Sequence, residues 1–189
     1  MKKGLELLED PQILRAFQLA NLAVLLQQEN GKYKRIGIVD NMSIVYDYPY
    51  HAIVKDDQSL RDATNSWRAF QIAFFLVSIE SLAIETSATR NIVDLIWFPT
   101  GGGKTEAYLG VAAFQMILRR LRNPQDAGVD VIMRYTLRLL TADQFQRSSR
   151  LICALEYIRQ KNSDLGDVPF SIGIWVGSKI TPNRNSEAK

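Results

Sequence analysis

The first third of the chain carries two different patterns of apolar residues. Over residues 5–28 the apolar positions recur every three or four residues, which predicts an amphipathic helix. Two short strands are predicted next, at 33–40 and 42–48, and Asp40-Asn41 at their junction indicates the turn of a β-hairpin. Residues 49–65 are mostly polar and predict a loop. We therefore expect residues 1–65 to form a helix followed by a small hairpin.

The remainder of the chain alternates between two kinds of apolar pattern. Short continuous apolar runs predict buried strands, whereas longer runs with helical spacing predict helices. A helix is predicted over about 66–85; after it come predicted strands at 92–98, 129–135 and 170–176 and predicted helices at 105–121 and 142–161. Such alternation favours a parallel sheet flanked by helices. Residues 66–189 are thus expected to be an α/β domain, incomplete because only three strands are present.

Composition limits the classes of protein to which the chain can belong. The chain has 189 residues, 47% hydrophobic and 23% charged, which is enough for one globular domain with a sizeable core. Its single cysteine, Cys153, excludes an internal disulfide and fits a reducing, cytoplasmic compartment. Polar Arg15, Gln18 and Asn21 interrupt the first predicted helix, so no membrane span is expected.

Positive charge is concentrated in one stretch of the sequence. The net charge is only +3, which does not by itself require a nucleic-acid partner. Three aspartates accompany seven arginines between positions 119 and 150, and the arginines are Arg119, Arg120, Arg122, Arg134, Arg138, Arg147 and Arg150. Two interpretations stay open: a phosphate-binding surface, or a solvated helix face.

A glycine-rich turn joins the strand predicted at 92–98 to the helix predicted after it. Residues 98–105 read Phe-Pro-Thr-Gly-Gly-Gly-Lys-Thr, the layout of a phosphate-binding loop. Glycines let successive N–H groups point at one anion, and the start of the following helix adds attraction. Lys104 would reach the phosphates and Thr105 would bind Mg²⁺. The strict pattern begins with glycine where this chain has Phe98, so a surface turn ending in Lys-Thr is the alternative.

Two other segments carry side chains suited to nucleotides or nucleic acids. Gln71 lies about thirty residues before the glycine turn, and its amide suits the adenine edge because it donates and accepts at once. The alternative is a polar residue at a helix start. At the second predicted strand–helix junction, hydroxyls and an arginine suit single-strand phosphates, although a capped helix start beginning Thr-x-x-Gln is the alternative. The candidates there are Thr136, Arg138, Thr141 and Gln144.

The order of these segments resembles the first RecA-like domain of superfamily 2 helicases. A closer similarity, to the DrmA helicase family of the bacterial DISARM anti-phage system, is carried by residues 16–21, 67–71, 97–110 and 134–141. It extends from about residue 17 to about residue 184. The resemblance implies a P-loop NTPase fold of the RecA-like type and an ATP-dependent enzyme that moves on, or remodels, DNA. Its cofactors would be ATP and Mg²⁺, and its partners DNA and other defence-system subunits.

The resemblance also implies roles for individual residues. Lys104 and Thr105 would be catalytic, and the nucleotide-binding set would be Arg68, Gln71, Thr100, Gly101, Gly102, Gly103, Lys104, Thr105 and Glu106. The family's acidic Mg²⁺ motif, second RecA-like domain and arginine fingers have no counterpart in this sequence. The chain is therefore expected to be an ATP-binding fragment that does not hydrolyse ATP alone. The alternatives are a P-loop NTPase that drives a protein partner, and a non-catalytic nucleic-acid-binding module.

Overall fold

Helices dominate the computed structural model of the chain. The structure describes residues 1–32, 36–40, 43–46, 50, 66–97, 101–135 and 138–175. The helices among them are α1 (Lys2–Leu7), α2 (Pro11–Gly31), α3 (Ala69–Ala83), α4 (Lys104–Arg122) and α5 (Arg138–Arg159). Two strands, β1 (Gly37–Asp40) and β2 (Ser43–Tyr46), and short 3-10 turns at Ala88–Asn91 and Ser163–Leu165 complete the described elements.

The helix predicted over residues 5–28 is interrupted near its start. Asp10 has an extended backbone, and its carboxylate accepts hydrogen bonds from the N–H groups of Gln12 at 2.8 Å and Ile13 at 3.1 Å. Pro11 follows at the first helical position, where its missing N–H leaves no bond unmade. This aspartate cap begins α2 and separates it from α1, so the prediction of one continuous helix was wrong.

The hairpin prediction is confirmed. β1 and β2 pair antiparallel, with Gly37 opposite Tyr46 and Asp40 opposite Ser43. Both strands lie within the runs predicted at 33–40 and 42–48.

The core forms around α4, which contacts α2, α3 and α5. Phe75 of α3 is completely buried at its centre. Its ring centroid lies 5.0 Å from that of Phe17, 6.1 Å from that of Trp67 and 5.8 Å from that of Phe114. The cluster joins side chains from three helices and from the segment before α3. Both predicted parts of the chain therefore contribute to one core, and the division at residue 65 stays a prediction.

The predicted parallel sheet was wrong. Within the described part of the chain the only sheet is the antiparallel pair β1–β2, so the structure does not show a RecA-like parallel sheet flanked by helices. The apolar run at 92–97 belongs to no sheet and is largely exposed: Val93 by 93%, Leu95 by 83% and Trp97 by 87%. An apolar run forms a buried strand only if a neighbouring strand pairs with its backbone N–H and C=O groups. Here no described strand does so.

The other two predicted strands line a cleft instead. Residues 129–135 and 170–175 belong to no sheet and border a space of about 800 Å³. Leu109 and Met116 of α4 and Leu151 of α5 form part of its apolar lining. The segments that periodicity assigned to a sheet thus face this cleft and the solvent.

Helix α5 begins earlier than its sequence pattern predicted. It starts at Arg138, not near residue 142, because Leu139 and Leu140 are good helix formers and extend it. Thr141 and Gln144 therefore lie inside the helix, and the predicted Thr-x-x-Gln cap was wrong. Cys153 is exposed on this helix. None of the helices that the structure describes combines the length and apolarity needed to cross a bilayer.

Candidate functional site

The glycine turn lies directly before α4. Gly101 has φ of 79° and Gly103 has φ of 85°, both in the left-handed region that favours glycine. Helix α4 starts at the next residue, Lys104, so the N–H groups of its first turn, which an α-helix does not pair internally, follow directly after the glycine turn. Thr100, also predicted in this site, lies outside the described residues.

Two residues at the start of α3 hold the carbonyl groups of this turn. Arg68 Nη1 donates to the Gly102 carbonyl at 2.9 Å, and Gln71 Nε2 donates to the Gly103 carbonyl at 2.7 Å. The other end of the Gln71 amide, Oε1, accepts from the Arg68 main-chain N–H at 2.8 Å. Gln71 is only 5% exposed. The predicted adenine-reading residue thus has protein partners at both ends of its amide.

A tryptophan fixes the start of α3 against α4. A Cβ atom added to Gly110 would lie 2.8 Å from Cη2 of Trp67, so only glycine lets the ring approach α4 this closely. Trp67 Nε1 donates to Asn21 Oδ1 at 2.5 Å, which ties the same ring to α2. Trp67 and Asn21, both within the segments that carried the family resemblance, therefore hold together the helices behind the glycine turn.

The first turn of α4 also carries the remaining predicted nucleotide-binding residues. Lys104 and Thr105 are half-buried. Glu106 lies beside them, and its Oε1 is 3.1 Å from Arg147 Nη1 of α5. This ion pair links α4 to α5. Sequence reasoning missed Arg147 as a partner because the two residues are far apart in the chain and only their opposite charges suggest a contact.

Several arginines of the basic stretch form hydrogen bonds or ion pairs with other groups of the protein. Arg119 pairs with Asp126 and Asp130, and its hydrogen bonds hold the pKa of Asp126 below the ordinary value. Arg120 and Arg122 donate to main-chain carbonyl groups, and Arg120 is only 4% exposed. Together with Arg147, these residues stabilise the fold, which weakens the interpretation of the stretch as one phosphate-binding surface.

The structure describes only some of the residues predicted to contact nucleic acid. Thr136 lies outside the described residues; Arg138 and Thr141 have helical backbone in α5, and their side chains lie outside the described part. Gln144 is 8% exposed and lines the cleft. Its Oε1 belongs to the buried polar atoms that, in the described part of the chain, have no hydrogen-bond partner. Burial raises the pKa of Tyr135, which lines the same cleft.

The side chains described around the glycine turn do not form a protein-bound metal site. Three or more His, Cys, Asp or Glu side chains nowhere form a metal-binding group within the residues that the structure describes. None of the residues that the structure describes lies within 4 Å of the position that a Cβ would take on Gly101. A cation there would need the Thr105 hydroxyl together with oxygens supplied by a phosphate.

Comparison with known proteins supports the resemblance seen in the sequence. No family model matches the chain, and no solved structure matches it. The DISARM protein DrmA of Bacillus paralicheniformis is 39% identical over 193 aligned positions, which include 97% of this chain. The chain spans 16% of the length of that curated relative. Over nearly its whole length, then, this chain is DrmA-like, similar to one portion of DISARM protein DrmA.

Proposed function

We propose that this chain is the nucleotide-phosphate-binding portion of an ATP-dependent DNA helicase or translocase in a DISARM-type anti-phage system. The observation that carries the proposal is the turn at 101–103, with two left-handed glycines immediately before Lys104 and Thr105 at the start of α4. Similarity to DISARM protein DrmA across 97% of the chain supports the placement in a DISARM system.

The proposal gives each residue of the turn a distinct task. N–H groups of Gly101, Gly102 and Gly103 bind phosphate oxygens, because the glycines permit a backbone shape that presents them together. Lys104 neutralises phosphate charge, and the Thr105 hydroxyl holds Mg²⁺. When bound, Mg-ATP supplies a phosphoryl group whose transfer releases the free energy for movement on DNA.

DNA binding is assigned to the junction at the start of α5. In this proposal Thr136, Arg138, Thr141 and Gln144 contact DNA phosphates, as hydroxyl, guanidinium and amide groups do in other proteins. Glu106 supports the site through its ion pair with Arg147. Other defence-system subunits are proposed as further partners.

Calorimetric titration with Mg-ATP tests the phosphate site in this chain. Loss of one charged hydrogen bond costs about 1.5–3 kcal/mol, so we expect Lys104→Ala to weaken binding roughly 10- to 150-fold. Lys3→Ala is the matched control, since Lys3 is 59% exposed and lies on α1. If the two variants bind Mg-ATP equally well, the assignment of Lys104 is wrong.

The proposed activity is tested in the longer protein. We expect DNA to stimulate its ATP hydrolysis and Lys104→Ala to abolish that stimulation. Stimulation by a protein partner alone would instead indicate an NTPase that drives a partner protein. Salt-sensitive DNA binding that ATP does not alter would indicate a non-catalytic nucleic-acid-binding module.

A further inference from the structure

We infer that Arg68 and Gln71 are positioning residues that aim the N–H groups of the glycine turn at phosphate, and that Gln71 does not select the base. This inference rests on the proposed function, because it assigns a role to two residues beside the proposed phosphate site. It predicts that the site recognises the triphosphate, with little discrimination from Gln71 between adenine and guanine.

The trans peptide bonds of the glycine turn fix the directions of its N–H groups. In a trans peptide the carbonyl of one residue and the N–H of the next point in opposite directions, and the described peptide bonds are trans. Arg68 holds the Gly102 carbonyl, so the Gly103 N–H points away from Arg68. Gln71 holds the Gly103 carbonyl, so the Lys104 N–H points away from Gln71. Two side chains on one side of the turn thus direct two donors to the other side.

The glycines explain why such support is needed. Glycine has few steric limits on φ and ψ, so an unsupported peptide in this turn can rotate and present its carbonyl oxygen where an N–H group is required. A carbonyl oxygen repels a phosphate oxygen. Hydrogen bonds to Gly102 and Gly103 exclude those rotations before a ligand arrives, which removes part of the ordering cost of binding.

The environment of Gln71 argues against base recognition. An amide that reads adenine must donate and accept toward the base at the same time. Here Nε2 donates to Gly103 at 2.7 Å, Oε1 accepts from Arg68 at 2.8 Å, and the side chain is 5% exposed. Turning the amide toward a base would break both bonds and release the turn that holds the phosphates.

Three ligands separate positioning from base recognition: Mg-ATP, Mg-GTP and Mg-tripolyphosphate, which has no base. Gln71→Met keeps the side-chain volume and removes both hydrogen bonds. Gln71→Glu keeps an acceptor for the Arg68 N–H but has no donor for the Gly103 carbonyl when ionised. We expect Gln71→Met to weaken all three ligands by the same factor, roughly two- to tenfold, the worth of the lost neutral hydrogen bond to the turn. Gln71→Glu should weaken all three ligands further, because its carboxylate also repels the phosphates.

Arg68 provides a second test that does not depend on a buried residue. Arg68 is exposed, so Arg68→Met should keep the fold while weakening all three ligands equally. Arg90→Met is the matched control, because Arg90 also donates to a main-chain carbonyl, that of Ser81, away from the turn. We expect Arg90→Met to bind all three ligands like the unaltered chain.

The outcomes distinguish failure of this inference from failure of the proposed function. If Gln71→Met weakens Mg-ATP but leaves Mg-GTP and Mg-tripolyphosphate unchanged, Gln71 reads the base and the inference is overturned. Unchanged binding of every ligand by Arg68→Met and both Gln71 variants would overturn it as well. If the unaltered chain binds none of the ligands, or Lys104→Ala binds them all normally, the phosphate site itself is refuted.

Discussion

Replacing Gly103 by alanine adds a methyl group where the backbone is left-handed and where the Gln71 amide already occupies the space. The φ of +85° lies in the left-handed region, which costs an L-residue about 1–2 kcal/mol. The new Cβ would lie 2.7 Å from Gln71 Nε2, so the amide must move and lose its hydrogen bond to the turn, about 0.5–1.5 kcal/mol. We therefore expect Gly103→Ala to lower the free energy of unfolding by about 1.5–3.5 kcal/mol.

Gly101→Ala isolates the backbone part of this effect. Gly101 has a similar φ of +79°, but no atom of the residues described by the structure comes within 4 Å of its Cβ position. Only the cost of the left-handed backbone applies, about 1–2 kcal/mol. The difference between the two alanine variants therefore measures the collision with Gln71.

Urea denaturation followed by the helical circular dichroism signal measures both variants. In a Gln71→Ala background the obstructing amide is gone, so there Gly103→Ala should cost no more than Gly101→Ala does. Equal losses for the two variants in the unaltered background would show that Gln71 does not press on the turn. If Gly103→Ala lowers the free energy of unfolding by the same amount in both backgrounds, Gln71 does not obstruct the new methyl group.

Two further predictions concern the stability of the helical core. Phe75→Ala removes a fully buried ring that contacts three other aromatic rings, so the urea midpoint should report a loss of about 3–5 kcal/mol; Val77→Ala, on the exposed side of α3, should change it by less than about 0.5 kcal/mol. Arg159 holds the pKa of Glu156 at about 2, below its ordinary 4.5. Since the folded value is the lower one, this stabilisation is present above pH 4.5 and is lost as the pH falls toward 2, so the stability difference from Glu156→Gln should shrink over that range. A difference that stays constant from about pH 6 to about pH 2.5 would contradict the assignment.

Local patterns in the sequence predicted the helices and the hairpin, because each depends on residues close together in the chain. The helix predicted at 105–121 is α4, which starts one residue earlier and ends one residue later. Errors at helix ends came from single residues, such as Asp10, whose cap begins α2. Strand predictions at 92–98, 129–135 and 170–176 failed because strand formation depends on distant hydrogen-bond partners that an apolar run does not specify.

The same distinction applies to the candidate site. The glycine turn was visible in the sequence because its residues are consecutive and the chemistry of glycine, lysine and threonine is specific. The bonds that Arg68 and Gln71 make with the turn span 34 and 32 positions, and no local pattern predicts them. The ion pair of Glu106 with Arg147 was missed for the same reason.

The exposure of Trp97 has a consequence for spectroscopy. The chain has three tryptophans; Trp97 and Trp175 are 87% and 78% exposed, whereas Trp67 packs in the core. Water-exposed indoles emit at long wavelength and are open to aqueous quenchers such as iodide even in the folded protein. Intrinsic fluorescence is thus a weak reporter of unfolding here. Trp97, four positions before Gly101, is instead a built-in fluorophore close in sequence to the glycine turn. In a Trp175→Phe variant, where Trp97 is the one exposed indole among the described residues, quenching by iodide can follow ligand binding without a label.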